Sequence, residues 1–376
     1  MSPRIVVVVA ALVVVAPTAP RRAAAQPAAD PAATPAAAPP AVAAPPAAPT
    51  VAVTGYVEAY YQYSLARPSV TASPLRFEPQ LGSFTLASAA VQAMVTDPRW
   101  HATAGLQVGA TPAVLYGTEP APATWQHVRE ASAGAVVGGG VTVDAGLFLS
   151  PIGPEALASK DDWTWSRSTA FVALPGYHVG VRASRALGGG VTAQAWLVNG
   201  WNSAVDGNRW KTVVVAAGFS RGATSGQLLY AGGVERPTGD PAGAPWRHLA
   251  DLFVTRAVTD AIDVMAHVDG GTEAGADGGH RWLAGALYAR GRPCAALELA
   301  ARIDGVREWV DAGVTPMLLG VERVVAGTAT VSWRAAPQVL GRVELRHDRA
   351  SAAVFPGADR ARDQQTTVTA AATAWF

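Results

Sequence analysis

Four charged residues stand at alternate positions near the end of the chain, Arg342, Glu344, Arg346 and Asp348 in the stretch RVELRHD. Alternate residues of an extended strand share a face. These charges therefore project from one side, while Val339, Val343 and Leu345 project from the other. Two uses fit such a ladder. The charges can pair and solvate a wall, a weak contribution wherever water screens them. Or they can line an aqueous passage, where rings of charge set which ions pass. Glu58, Arg182, Glu298 and Arg302 take the same phase on other stretches and join the ladder as candidate lining residues.

A second group lies in the long segment 150–176, PIGPEALASKDDWTWSRSTAFVALPGY. Segments of this length between strands are functional or unstructured. Its Glu155, Lys160, Asp161, Asp162, Trp163 and Arg167 could narrow a passage if the segment folds inward, or face solvent if it folds outward. Pro154-Glu155 could start one helical turn through Leu157. Asp263, His267 and Asp269 have the composition of a metal cluster, but positions four apart on one strand are about 13 Å apart, too far to share an ion. The lone Cys294 cannot build a cysteine metal site and reads as a small residue opening a strand. No GxSxG elbow occurs. The sequence thus assigns no catalytic residue, metal or cofactor.

The elements that would position these residues are strands. VAVTGYVEAYYQYSL, WHATAGLQVG, VTAQAWLVN, AIDVMAHVD and CAALELAARI all alternate apolar with polar residues, and no sustained helical period follows the first residues. Short turns fall at 97–99, 138–140, 188–190, 221–226, 259–260, 291–293 and 335–338. Longer polar connections fall near 66–82, 110–124, 150–176, 200–210, 236–246, 270–280, 304–326 and 349–365. This layout predicts an all-β, antiparallel up-and-down transmembrane β-barrel of 16 strands, with 14 to 18 open because PMLLGVERVV could be strand or loop. A charge on a lipid-facing row costs about 2–4 kcal/mol for Arg at mid-bilayer, so the ladder must face the lumen. A dry interior would not hold so many charges either. Trp125, Trp201, Trp210, Trp246 and Trp282 fall at long-loop ends, and Trp100, Trp333 and Trp375 at short-turn ends, as two interfacial girdles would require. The last strand ends on Phe376, in the outward phase of Val368, Ala370, Ala372 and Ala374.

Residues 1–25 read as a signal peptide, with a basic start, the apolar run Ile5–Ala16 and a small-residue site at Ala23–Ala25. Residues 26–50 are an Ala/Pro-rich disordered periplasmic linker, and 51–376 the barrel. Removing the leader takes Arg4, Arg21 and Arg22 from the 29 basic residues, leaving 26 against 28 acids. That balance excludes a nucleic-acid partner. The nearly uncharged outward rows argue against a soluble secreted β-sandwich.

From about Val53 to Phe376 the chain resembles the OmpL-like outer-membrane β-barrel porin family. The resemblance is carried by GYVEAYYQY (55–63), DAGLFLSPIGPE (144–155), WSRS (165–168) with Phe171, PGYHVGVRAS (175–184), NGWN (199–202) and RVELRHD (342–348). It implies a channel in the bacterial outer membrane, and no residue role or substrate. Segment 150–176 is the third long loop, the one that folds inward in general porins. By analogy with general porins, a homotrimer in outer-membrane lipid is expected. The Phe376 terminus resembles the signal read by the outer-membrane assembly machinery, with Ala where larger residues are usual. The expected function is passive diffusion of small hydrophilic solutes or ions. A loop-plugged barrel serving as adhesin, receptor or structural protein is the alternative.

Overall fold

The computed structural model describes residues 48–68 and 75–376. The segments expected to be a signal peptide (1–25) and a linker (26–50) lie outside them, apart from residues 48–50. The chain forms β1 (Thr50–Ser64), β2 (Phe84–Thr96), β3 (Trp100–Val108), β4 (Val128–Gly138), β5 (Val141–Leu149), β6 (Tyr177–Gly188), β7 (Val191–Val198) and β8 (Thr212–Arg221). Then follow β9 (Thr224–Val234), β10 (Trp246–Ala257), β11 (Ile262–Gly275), β12 (Gly278–Cys294), β13 (Leu297–Val310), β14 (Arg323–Ala336), β15 (Val339–Ala350) and β16 (Gln364–Trp375).

Every strand pairs antiparallel with its sequence neighbours, and β16 pairs with β1, so the sheet closes. Closure leaves no strand with free backbone groups at an edge, which a sheet surrounded by lipid requires. At the seam Tyr56 faces Trp375 and Ser64 faces Thr367. Gly55 and Phe376 exchange both backbone hydrogen bonds, at 3.3 and 3.0 Å. A Cβ at residue 55 would lie 2.6 Å from the Phe376 ring, so glycine leaves room for that ring against the wall.

The period-2 pattern sorts side chains as the sequence requires. Val343, Leu345, Val368 and Phe376 point out, Phe376 with 71 % of its surface exposed. Glu58, Arg342, Glu344, Arg346 and Asp348 point in and are buried. Among the described residues no helix is long and apolar enough to cross a membrane; the strands form the barrel wall.

Three local expectations need correction, and one stretch left open is now assigned. The connection near 270–280 is not a long loop: β11 and β12 keep pairing to Gly275–Gly278, because the alternating small residues there continue the ladder. Gly291–Pro293 is not the next turn. A bulge between Gly291 and Cys294 absorbs the proline, and the strand ends on an exposed Cys294 instead of beginning there. Pro316–Leu319 belong to a loop, with β14 beginning at Arg323. Trp282 is not in a girdle. It shares the inward phase of β12 with His280 and Ala284, and meets Trp201 edge-on inside the barrel. The exposed tryptophans are Trp210, Trp246 and Trp309 near the long loops, and Trp100 and Trp333 near the short turns.

Candidate functional site

The segment 150–176 lies inside the barrel. It is not helical at Pro154–Leu157; its ordered turns are a 3-10 turn at Ser159–Asp161 and a helical turn at Thr169–Val172. Ser168 caps the latter by accepting from the Phe171 amide. An inward segment without regular structure carries many backbone polar groups that must find partners. The charged inner wall supplies them.

Strand β15 matches the segment's backbone group by group. Arg342 donates to the carbonyls of Ser159 (2.5 Å) and Asp162 (2.6 Å). Glu344 accepts from the amides of Trp165 (2.7 Å) and Ser166 (3.1 Å) and from the Thr330 hydroxyl (2.9 Å). Arg346 donates to the Arg167 carbonyl at 2.5 Å and the Ser166 hydroxyl at 3.1 Å. On β13, Arg302 donates to the Thr164 hydroxyl (2.6 Å) and the Arg167 carbonyl (3.1 Å), while Asp304 accepts from the Thr169 amide (2.7 Å). On β1, Glu58 accepts from the Lys160 amide at 2.9 Å. The wall charges also neutralise one another: Arg302 with Asp304 at 2.7 Å, and Arg346 with Asp348 at 2.8 Å. A dry interior therefore does hold the ladder, contrary to the simple desolvation argument. The reason is that each charge finds an ionic partner, backbone groups of the segment, or both: Asp348 is held by Arg76 and Arg346, Arg342 and Glu344 by main-chain groups of the segment, and Arg302, Asp304 and Arg346 by both.

The opposite wall is apolar. Trp196 and Val198 of β7, Val214 and Ala216 of β8, and Leu229 and Ala231 of β9 face inward. They join Ile152 and Leu174, which stand near the two ends of the segment, in one buried cluster.

Within the segment, Glu155 accepts from the Ser168 amide at 3.0 Å and pairs with Arg302 at 3.2 Å. Arg167 is fully enclosed and pairs with Glu78 at 2.8 Å. Trp163 stacks under Arg290, 4.4 Å from its guanidinium. Lys160 and Asp161 pair with each other at 2.7 Å and keep contact with solvent. Asp162 accepts from the Ala156 amide at 2.8 Å. Burial, then the Glu155 carboxylate, push its carboxyl well above the usual range, against Arg167 and Arg342.

Six of the eight candidate lining residues, Glu58, Arg302, Arg342, Glu344, Arg346 and Asp348, thus lie buried against or beside the segment rather than along open water. Arg182 stands apart, pairing with Asp144 at 2.9 Å over the Phe148 ring. Glu298 stands nearer the short turns, 3.6 Å from Arg290. Sequence reasoning missed Glu78, Arg76 and Asp304. Arg76 pairs with Asp348. Asp304 was legible, being two residues from Arg302 on the same face. Glu78 and Arg76 sit on the long β1–β2 connection, where no period marks their direction.

A family model described as "Putative beta-barrel porin-2, OmpL-like" matches residues 50–376. Among solved structures, the fold is similar to an outer-membrane protein of Vibrio cholerae, OmpT with loop L8 deleted, at TM-score 0.59 and 10% identity, over 88% of this chain and 100% of that one. It is similar to an anion-selective porin from Comamonas acidovorans at TM-score 0.59 and 12% identity, over 88% and 100%. The outer-membrane channel DcaP of Acinetobacter baumannii gives TM-score 0.60 and 11% identity, over 87% and 97%. At these identities the likeness concerns the fold. No curated protein matches in sequence.

Proposed function

We propose, on the premise that the chain belongs to the OmpL-like β-barrel porin family, that it passes small hydrophilic solutes or ions by diffusion across the outer membrane of a Gram-negative cell. Segment 150–176 is its constriction. The observation that carries this reading is that two polar cavities meet at the segment's solvent-contacting tip. One, of about 400 Å³, is lined by Lys160, Asp161, Arg290, Arg292, Glu298 and Arg334 among others. The other, of about 330 Å³, reaches Lys160 and Asp161 from Gln92 and Arg129. The larger cavity carries five cationic side chains against three carboxylates, and one of those, Asp162, is held toward its neutral form. Such a lining favours anions. Catalysis forms no part of this reading.

Residues 1–25 serve as the cleaved export signal, residues 26–50 as a periplasmic spacer, and the Phe376 end as the segment presented to the assembly machinery. The outward Ala370, Ala372, Ala59 and Leu86 border a shallow groove of about 480 Å³. A neighbouring barrel could pack there in a homotrimer.

Single-channel conductance of the refolded chain in a planar bilayer under a salt gradient tests the reading. Open steps with a reversal potential toward anions support it. A folded, heat-modifiable barrel that stays electrically silent moves the weight to a plugged adhesin or receptor. The complete enclosure of Arg167, Arg302 and Arg346 favours that second reading.

A further inference from the structure

Asp269 differs from the other buried carboxylates among the described residues. Asp348, Asp304, Glu344, Glu78 and Glu273, for example, each hold a cation or a hydrogen-bond donor. Asp269 points into the barrel, is 1 % exposed, and both its oxygens lack a hydrogen-bond partner. The cation within reach is His267, whose Nε2 stands 3.8 Å away. That nitrogen is already 2.6 Å from Asp251 Oδ2. A carboxylate buried without a partner is costly enough that it usually signals a missing ligand or a shifted proton.

The sheet register brings the three residues together. Asp251 on β10 stands directly across from Asp269 on β11. His267 lies two residues before Asp269, on the same face. One ligand atom from each residue falls in a group whose members are all within 4.8 Å of one another. With His267 Nε2 and Asp251 Oδ2 moved apart by roughly 1 Å from their 2.6 Å hydrogen-bond spacing, the three atoms could close on a cation at about 2.0–2.2 Å, the bond length of imidazole and carboxylate to zinc. The along-strand spacing that excludes Asp263 still holds, and Asp263 is taken up by Arg290 and Arg292. The third ligand comes from the neighbouring strand β10 and not from along β11.

We propose that Asp251, His267 and Asp269 form a binding site for a divalent first-row transition cation of the zinc class. Two carboxylates and a neutral imidazole carry two negative charges, which a dication cancels. An imidazole ligand disfavours calcium and magnesium, which take oxygen donors. Three protein ligands leave a position open. Phe253 and Met265, the next inward residues toward the short turns, separate the site from a cavity of about 200 Å³. The site also touches the constriction, because the Gly153 amide donates to Asp251 Oδ1 at 3.3 Å. The bound cation fixes Asp251 and so fastens the start of segment 150–176.

The proposal is independent of whether the barrel conducts. The full barrel is extracted in detergent, stripped with chelator and equilibrated with zinc chloride, and bound zinc is counted per chain. One zinc per chain is expected. Asp269→Asn should bind about tenfold more weakly or worse, while Asp263→Asn leaves binding unchanged. Cobalt chloride added to the stripped wild-type barrel should give the intense visible bands of a four- or five-coordinate site, and His267→Gln should abolish them. Equal zinc binding by the wild type and Asp269→Asn overturns the site. So does a cobalt spectrum identical to the aqueous ion. Those results would mean that protonated His267 serves both carboxylates, or that the Trp282 indole beside Asp269 supplies its donor. Heat-modifiable migration reports folding of each variant; should Asp269→Asn not fold, the wild-type cobalt spectrum decides alone.

Discussion

The inner walls of β13–β15 and of β7–β9 hold the same segment by opposite means. The first reads the backbone of residues 159–169 with guanidinium and carboxylate groups. The second seats Ile152 and Leu174 in apolar contact. Apolar burial is non-directional and tolerates sliding. Charge-assisted hydrogen bonds to particular amides and carbonyls do not. The apolar wall therefore gives the segment a place, and the charged wall gives it a register. A segment held only by the first could lie across the lumen in many ways.

Breaking the charged wall should have the largest effect. Arg302→Ala leaves Glu155 without its cation and Asp304 with only Arg346 at 4.0 Å, and removing one partner of a buried pair costs about 3–5 kcal/mol. We expect protease cleavage within 150–176 and larger, noisier conductance steps from a barrel that still migrates as folded. On the apolar wall, Ile152→Ala should cost about 2 kcal/mol, the lower end for such truncations because the site borders loops that can close in. Its loss should be the same at every pH, measured by protease protection of the segment.

At Asp162 the hold on the segment depends on pH. Its carboxyl is raised in the folded state, so the folded state keeps a proton that the unfolded chain releases above about pH 4. Seating of the segment should therefore weaken as pH rises from that point, until the folded carboxyl itself titrates. Asp162→Asn should flatten this dependence, since an amide oxygen can still accept from Ala156. A protection profile that falls equally in both proteins would refute the role of Asp162. The smallest structural effect is expected of Lys160→Glu at the solvent-contacting tip, within about 0.5 kcal/mol. It should still move the reversal potential toward cations.

The barrel was legible because its signal is repeated. Several alternating stretches show the same period and fifteen connections give sixteen strands, so a local error, such as the turn assigned at Gly291–Pro293, does not change the count. The inward phase of Arg302, Arg342, Glu344 and Arg346 was legible for the same reason. What these charges touch was not. Their partners are main-chain groups of segment 150–176, and a main-chain amide has no sequence signature. Asp251 shows the same limit across strands. Its place beside Asp269 depends on register, which the turn geometry between β10 and β11 sets and composition does not.

The seam between β1 and β16 has a consequence in time. Gln62 and Thr369 touch although 307 positions separate them. β16 must be made before β1 can meet the strand it needs, and until then β1 has one side of its backbone unmatched. Contacts so distant along the chain are slow to form, and an unpaired strand invites pairing with the wrong molecule. The nascent polypeptide must therefore be kept apart from its siblings until β16 arrives. A chain cut short by even the last strand should accumulate as an unclosed, aggregation-prone sheet rather than as a smaller barrel.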